Sequence, residues 1–195
     1  MASLLVARDY GISPNAKILA YRLTLPAEGD SSGTDCQNAT GIRKDTVPSL
    51  INAAINDGAQ IITISSSNEG GTAPLKWAMA RAVSQGIIIT AATGNNAKNE
   101  TDVSYEKWSG VIGVTAIDTD GNFQDYSSWG EGVVSAAIGG PVKVRDYSTG
   151  QITPVSGTSI SAPLVAGSLA LARQKWPEAT TNQLLQLLIH TGTNP

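Results

Sequence analysis

The sequence predicts an α/β fold in which helices cover both faces of a mostly parallel β-sheet. Two observations lead to this prediction. Short segments that are apolar at every position alternate along the chain with longer segments whose apolar residues recur at helical spacing. A strand that is apolar on both faces belongs in a sheet that is buried on both faces, as parallel sheets are. The 195 residues are enough to bury such a core as a single domain, 1–195, without a disulfide or a metal ion.

Five segments are predicted to form strands of this sheet. Most of their residues are β-branched or small and apolar, and turn-forming or polar residues bound them. The predicted strands are Lys17–Leu23, Gln60–Ser65, Ile87–Ala92, Val111–Ile117 and Val133–Ile138. Ligands of doubly wound α/β proteins bind at the carboxyl ends of the parallel strands, so functional residues are expected directly after these segments.

Four segments with a helical spacing of apolar residues are predicted to be helices. They are Val47–Asp57, Leu75–Ser84, Ile160–Lys175 and Asn182–His190. The first two end at Gly58 and Gly86, because glycine readily adopts the conformation that closes a helix. A hairpin turn is predicted over Tyr147–Ile152.

Composition and motif content exclude several classes of function. A net charge of −3 argues against a nucleic-acid partner. No apolar run reaches the roughly 18 residues of a membrane span, and Cys36 is the only cysteine, so no internal disulfide can form. The Gly-x-Gly-x-x-Gly and Walker motifs of nucleotide-binding domains are absent. No cofactor and no metal ion is therefore expected.

The segment Gly157–Gly167, with the sequence Gly-Thr-Ser-Ile-Ser-Ala-Pro-Leu-Val-Ala-Gly, places Ser159 in the first turn of a predicted helix. The free N–H groups and the dipole of a helix start stabilise an oxyanion that develops there. A serine at a helix start is more often a simple N-cap. Here the surrounding residues favour catalysis, because they fit the pattern Gly-Thr-Ser-x-[Ala/Ser]-x-Pro-x-Val-Ala-Gly. The segment resembles the active-site serine motif of the subtilases, the subtilisin-like serine peptidases. An α/β-hydrolase is not indicated, because the residues around Ser159 do not form the Gly-x-Ser-x-Gly motif of that class.

Other segments resemble subtilase motifs in the family's order. Ala91–Asn95 resembles the Ala-Ala-x-Gly-Asn run that supplies the oxyanion-hole asparagine, while weaker matches lie at Gly11–Ala16, Val111–Ala116 and Tyr126–Gly130. The resemblance covers nearly the whole chain. It implies a subtilisin-like three-layer sandwich and a serine endopeptidase.

The resemblance also implies roles for individual residues. Ser159 would be the nucleophile and Asn95 an oxyanion donor. Where many subtilases have Ser-Leu-Gly-Gly beside the substrate, this chain keeps the strand but loses both glycines. The residues implied to bind substrate are Thr158, Ser65, Ser66, Ser67 and Asn68. A peptide or protein would be the substrate, and secretion is the localisation that the family implies.

A serine hydroxyl needs a base within hydrogen-bond reach and a group that orients the base. The only histidine, His190, lies at the end of the last predicted helix, where a charge interaction with the helix terminus is typical. Met1–Leu5 resembles the tail of the family's His-Gly-Thr-x-[Met/Val]-Ala motif. The resemblance therefore implies that the family's histidine and aspartate motifs precede Met1.

Three expectations follow from that alignment. The chain would represent the C-terminal two-thirds of a subtilase catalytic domain, it would be inert or nearly inert by itself, and it would associate through a sheet edge left exposed. The alternative is a non-catalytic subtilase-like module that binds peptides or acts as a scaffold.

Overall fold

The computed structural model describes residues 1–21, 37–38, 41–42, 46–66, 72–99, 105–146 and 149–192. Its helices are α1 Ala2–Val6, α2 Val47–Asn56, α3 Ala73–Ser84, α4 Thr158–Lys175 and α5 Thr181–Thr191, with a 3₁₀ turn at Tyr105–Lys107. Its strands are β1 Gln37–Asn38, β2 Gly41–Ile42, β3 Ile61–Ile64, β4 Ile88–Ala92, β5 Val111–Ile117, β6 Val133–Ile138, β7 Val142–Arg145 and β8 Ile152–Val155.

The main sheet contains β3, β4, β5 and β6 side by side in that order, and all of its neighbouring strands are parallel. The remaining described strands form two antiparallel pairs, β1 with β2 and β7 with β8. The second pair confirms the predicted hairpin, whose turn is closed by a 2.7 Å bond from the Asp146 N–H to the Gln151 carbonyl. Tyr147 and Ser148 of that turn lie outside the described residues.

Alternate residues of β4 point to opposite faces of the sheet, as a pleated strand requires. Ile89 and Ala91 pack into a core with α2 and α3, whereas Ile88 and Ala92 pack into a second core with α4 and α5. Helices thus cover both faces of a parallel sheet. The predicted α/β sandwich of three layers is confirmed.

The helix ends follow local sequence. Thr46 caps α2, because its hydroxyl accepts a 3.4 Å bond from the Ser49 N–H. Thr180 caps α5 in a capping box with Gln183. Gly86 follows the end of α3 with a φ of 73°, a conformation that residues with a Cβ seldom adopt. Capping residues therefore fix where these predicted helices begin and end.

The predicted strand Lys17–Leu23 differs from the structure. Residues 17–21 belong to no strand, and Arg22 and Leu23 lie outside the described residues. A strand is stable only when a neighbour receives its backbone hydrogen bonds. Among the described strands, β3 lies at one edge of the main sheet and pairs with β4. Ile18 and Tyr21 are instead more than a third exposed, at 37% and 36%. The apolar pattern therefore identifies a segment that could form a β-strand, but residues 17–21 have no strand neighbour to hydrogen-bond with in the described part of the chain.

Among the described helices, none combines enough length with enough hydropathy to cross a membrane.

The packing of α4 against the sheet predicts a contrast between two leucines of that helix. Leu169 is 2% exposed in the core, whereas Leu171 is 41% exposed. We expect Leu169→Ala to lower the free energy of unfolding by about 2–5 kcal/mol, because it removes buried apolar surface and leaves a cavity. Leu171→Ala is the matched control and should change it by about 0.5 kcal/mol or less. Urea denaturation measures both values, and equal losses would contradict this account of α4.

A second prediction concerns Tyr21, whose hydroxyl donates a 2.5 Å bond to the Asp57 carboxylate. That bond, with smaller contributions from burial and from the carboxylate charge, raises the pKa of Tyr21 to about 12. Because the folded state holds the phenol proton more tightly, the stabilisation is complete below the unfolded pKa of about 10 and is lost as pH rises through about 12.

Absorbance of tyrosinate during an alkaline titration measures this effect. Asp57→Asn should bring the high-pH transition back toward the ordinary pKa of tyrosine, whereas Asp120→Asn, which removes an exposed carboxylate elsewhere, should leave it in place. A titration that Asp57→Asn does not alter would show that the bond is not formed in solution.

Candidate active site

Ser159 occupies the second position of α4, directly after the buried Thr158. The helix starts from Gly157, whose φ is 143°. A Cβ at Gly157 would lie 3.1 Å from the Asn95 amide nitrogen, so both the backbone conformation and the neighbouring side chain favour glycine there. Ser159 is half-buried and lies in the first turn of α4, at the positive end of the helix dipole. The local sequence therefore sets a serine hydroxyl in a partially positive environment.

Ser159 is joined to the carboxyl end of β3 by a reciprocal pair of hydrogen bonds. Its hydroxyl donates to the Ser65 carbonyl at 3.0 Å, and the Ser65 hydroxyl donates to the Ser159 carbonyl at 3.2 Å. Ser66 follows and is half-buried. A carbonyl oxygen accepts this hydrogen bond but is far too weak a base to remove the proton, so the pair holds the serine in a resting orientation.

Asn95 lies three residues beyond the end of β4 and contacts the residue before Ser159. Its side-chain oxygen accepts two hydrogen bonds from Thr158, one from the backbone N–H at 2.8 Å and one from the hydroxyl at 3.0 Å. The Thr158 hydroxyl in turn accepts a 3.1 Å bond from the Gly94 N–H. Because the Asn95 oxygen is fully engaged, the amide nitrogen is the end of the side chain that remains to donate, beside Gly157.

Four of the residues predicted for the site are thus brought into one hydrogen-bonded cluster at the carboxyl ends of β3 and β4. They are Ser65, Asn95, Thr158 and Ser159. Ser66 is adjacent in the chain, while Ser67 and Asn68 lie outside the described residues. The roles of these residues toward a substrate stay predictions.

His190 makes its hydrogen bond within α5 and not to a residue of this cluster. It lies exposed in the last turn of α5, and its Nε2 is 2.8 Å from the Gln186 side-chain oxygen. In the described part of the chain the Ser159 hydroxyl is bonded to the Ser65 carbonyl and to no titratable side chain. Nor do three histidine, cysteine or acidic side chains gather there as a metal site would require.

The structure reveals a supporting segment, Tyr126–Ser128, whose role sequence reasoning missed. The Ser128 N–H donates to the Gly94 carbonyl at 3.0 Å, and the Ser128 hydroxyl accepts from the Asn96 N–H at 3.2 Å. Ser127 and Ser128 are fully buried. The sequence offered one signal for this role: two consecutive serines lie between Tyr126 and Trp129-Gly130. Serines buried among aromatic residues need hydrogen-bond partners, so such a pair is able to cross-link neighbouring loops. This segment holds the loop that carries Asn95.

Comparison with known proteins agrees with this architecture. The model of the subtilase family matches residues 1–195. The thermostable alkaline protease of Halalkalibacterium halodurans is 32% identical over 94% of this chain, and subtilisin DY of Bacillus licheniformis is 30% identical over 94%. The chain spans 47% of the length of the first relative and 64% of the second.

Solved structures give the same result. A cold-adapted subtilisin-like serine proteinase superposes with a TM-score of 0.67 at 25% identity, covering 73% of this chain and 52% of its own. The prenylagaramide maturation protease PagA gives a TM-score of 0.67 at 26% identity, covering 76% of this chain and 57% of its own. With the family model matched along all of its residues, the chain belongs to the subtilase family.

Proposed function

We propose that this chain carries the nucleophile and the oxyanion donors of a serine endopeptidase. The observation that supports the proposal best is the hydrogen-bonded cluster in which Thr158 joins Asn95 to the serine of α4. Relatives of the chain that are named proteases and subtilisins supply independent support.

In the proposed reaction the Ser159 oxygen attacks the carbonyl carbon of a peptide bond while its proton passes to a general base. The tetrahedral intermediate then collapses, the C–N bond breaks, and the base returns the proton to the leaving amine. Water attacks the resulting ester and releases the acid, which restores the Ser159 hydroxyl. The resting bond to Ser65 must break as the hydroxyl turns to the base.

Asn95 would stabilise the negative charge that develops on the carbonyl oxygen. Its amide N–H and the backbone N–H of Ser159 are the two donors, and the start of α4 adds the positive end of a helix dipole. In subtilisin itself, loss of the asparagine donor is known to cost about 10²–10³-fold in turnover. The two bonds to Thr158 fix the Asn95 oxygen, so the amide is oriented before substrate arrives.

The general base would be a histidine outside the 195 residues. His190 is the single histidine of the sequence, and its partner is Gln186. By this reasoning the 195 residues by themselves bind and polarise a peptide carbonyl but barely cleave it.

The position of His190 also favours a second candidate function, a peptide-binding module without catalysis. The same cluster would then hold a peptide carbonyl beside Ser65 and Ser66. The two functions differ in whether Ser159 reacts covalently once a base is supplied, which the next two experiments decide.

Ser159→Ala should abolish peptide hydrolysis in a form extended at its N-terminus with a subtilase segment that carries the family's histidine and aspartate motifs. In subtilisin, loss of the nucleophile is known to lower turnover by about 10⁶-fold, and a fall to background is expected here. Ser168→Ala, the same change at an exposed position of α4, should leave the rate unaltered. A peptide nitroanilide assay measures the rates. Activity that survives Ser159→Ala would refute the nucleophile assignment, and a folded, extended form that binds peptide without cleaving it would favour the binding module.

The 195-residue chain alone should resist labelling by a fluorophosphonate probe. The probe reacts with a serine whose proton a base removes, and among the described residues the Ser159 hydroxyl is hydrogen-bonded to the Ser65 carbonyl, which is no such base. Mass spectrometry of the intact protein measures the adduct, and the N-terminally extended form is the positive control. Rapid stoichiometric labelling of Ser159 would contradict the prediction, and its loss in His190→Gln would then identify the base.

A further inference from the structure

We propose that Tyr126 is a positioning residue that fixes the two oxyanion donors, Asn95 and the backbone N–H of Ser159, relative to each other. The inference rests on the proposed function. It arises because this one residue is hydrogen-bonded to the loop after β4 and is linked to the segment that starts α4 through the Gly139 carbonyl, which Tyr126 and Gly157 share.

The first contact holds the loop of Asn95. The Tyr126 carbonyl accepts a 3.0 Å hydrogen bond from the Ala97 N–H. Ala97 has a φ of 51° and is the single described residue other than glycine with a positive φ. A residue with a Cβ keeps this backbone conformation only where surrounding contacts hold it there. The bond to Tyr126 is one such contact, two residues from the Asn95 amide.

The second contact holds the start of the Ser159 helix. The Tyr126 hydroxyl donates to the Gly139 carbonyl at 2.7 Å, and the same carbonyl accepts from the Gly157 N–H at 2.7 Å. Gly157 precedes Thr158 and Ser159. A carbonyl fixed by two donors cannot tilt without straining both bonds, so the phenol restrains the peptide from which α4 begins.

The space around Gly139 shows how closely the Tyr126 phenol packs against the backbone there. A Cβ built on Gly139 would lie 2.6 Å from the Tyr126 hydroxyl and 2.2 Å from the Ala116 Cβ. The phenol therefore approaches the backbone more closely than any side chain at this position would allow. Burial raises the pKa of the Tyr126 phenol, against the opposing effect of the Gly157 N–H. The hydroxyl accordingly keeps its proton and its role as donor at neutral and mildly alkaline pH.

Nuclear magnetic resonance of the 195-residue chain tests the coupling without activity. Tyr126→Phe keeps the ring and removes the donor. We expect it to shift the backbone amide signals of Gly157 and Ser159 and the side-chain amide signals of Asn95, and to speed hydrogen exchange at Gly157. Tyr21→Phe, which removes a phenol bonded to Asp57, is the matched control and should leave these signals in place.

Turnover of the N-terminally extended form is the second readout. Tyr126→Phe should lower kcat about tenfold, the value of one net hydrogen bond, with KM nearly unchanged. In an Asn95→Leu background the same change should cost about threefold or less, because one of the donors that Tyr126 positions is already gone. A merely structural role would lower stability but give equal losses in both backgrounds.

The wild-type chain provides a measurement that needs no variant. If one residue restrains both segments, the Ala97 and Gly157 amides should open together, with exchange protection factors within about tenfold of each other. Unshifted Asn95 and Ser159 signals in Tyr126→Phe, or independent protection of the two amides, would overturn the inference. Survival of activity in Ser159→Ala would instead refute the proposed function and leave these resonance results untouched.

Discussion

The double hydrogen bond from Thr158 to the Asn95 oxygen is the constraint on which the rest of the site depends. It ties the loop after β4 to the first turn of α4, two elements that are 63 residues apart in the sequence. Because the oxygen of the amide is held, its nitrogen has a defined direction before any ligand binds. Catalytic electrostatics require such preorganisation, since donors that must rotate into place lose part of their benefit.

Close packing of α4 on the sheet and on α1 makes that constraint possible. A Cβ on Gly167 would lie 2.0 Å from an Ile12 methyl and 3.2 Å from a Leu5 methyl, so only glycine fits there. On the opposite side of the helix, Ala162 and Val165 pack against the sheet. The residues of the serine motif therefore have two structural roles. Some present the hydroxyl, and others let the helix approach closely enough for Thr158 to contact Asn95.

The sequence predicted the fold class and four residues of the cluster because each left a local signal. Continuous apolar runs identified the parallel strands, and the serine motif identified Ser159 with its neighbours. The segment 17–21 shows the limit of that reasoning, because an apolar pattern reports that a strand can pair but not that a partner is present. Tyr126 shows another limit. Its hydroxyl matters through the Gly139 carbonyl and Gly157, and only the folded chain brings these together.

The hydrogen bonds of the cluster join the residues that follow β3 and β4 to the start of α4. In the described part of the chain, none of these bonds involves a residue of α1, α2 or α5, and α1 contributes only by packing against α4. Under the proposed function, the groups that would polarise a carbonyl are therefore held by contacts that do not include the general base. In the proposed function, loss of the general base would leave these contacts in place, and the site would keep the geometry that receives a peptide carbonyl.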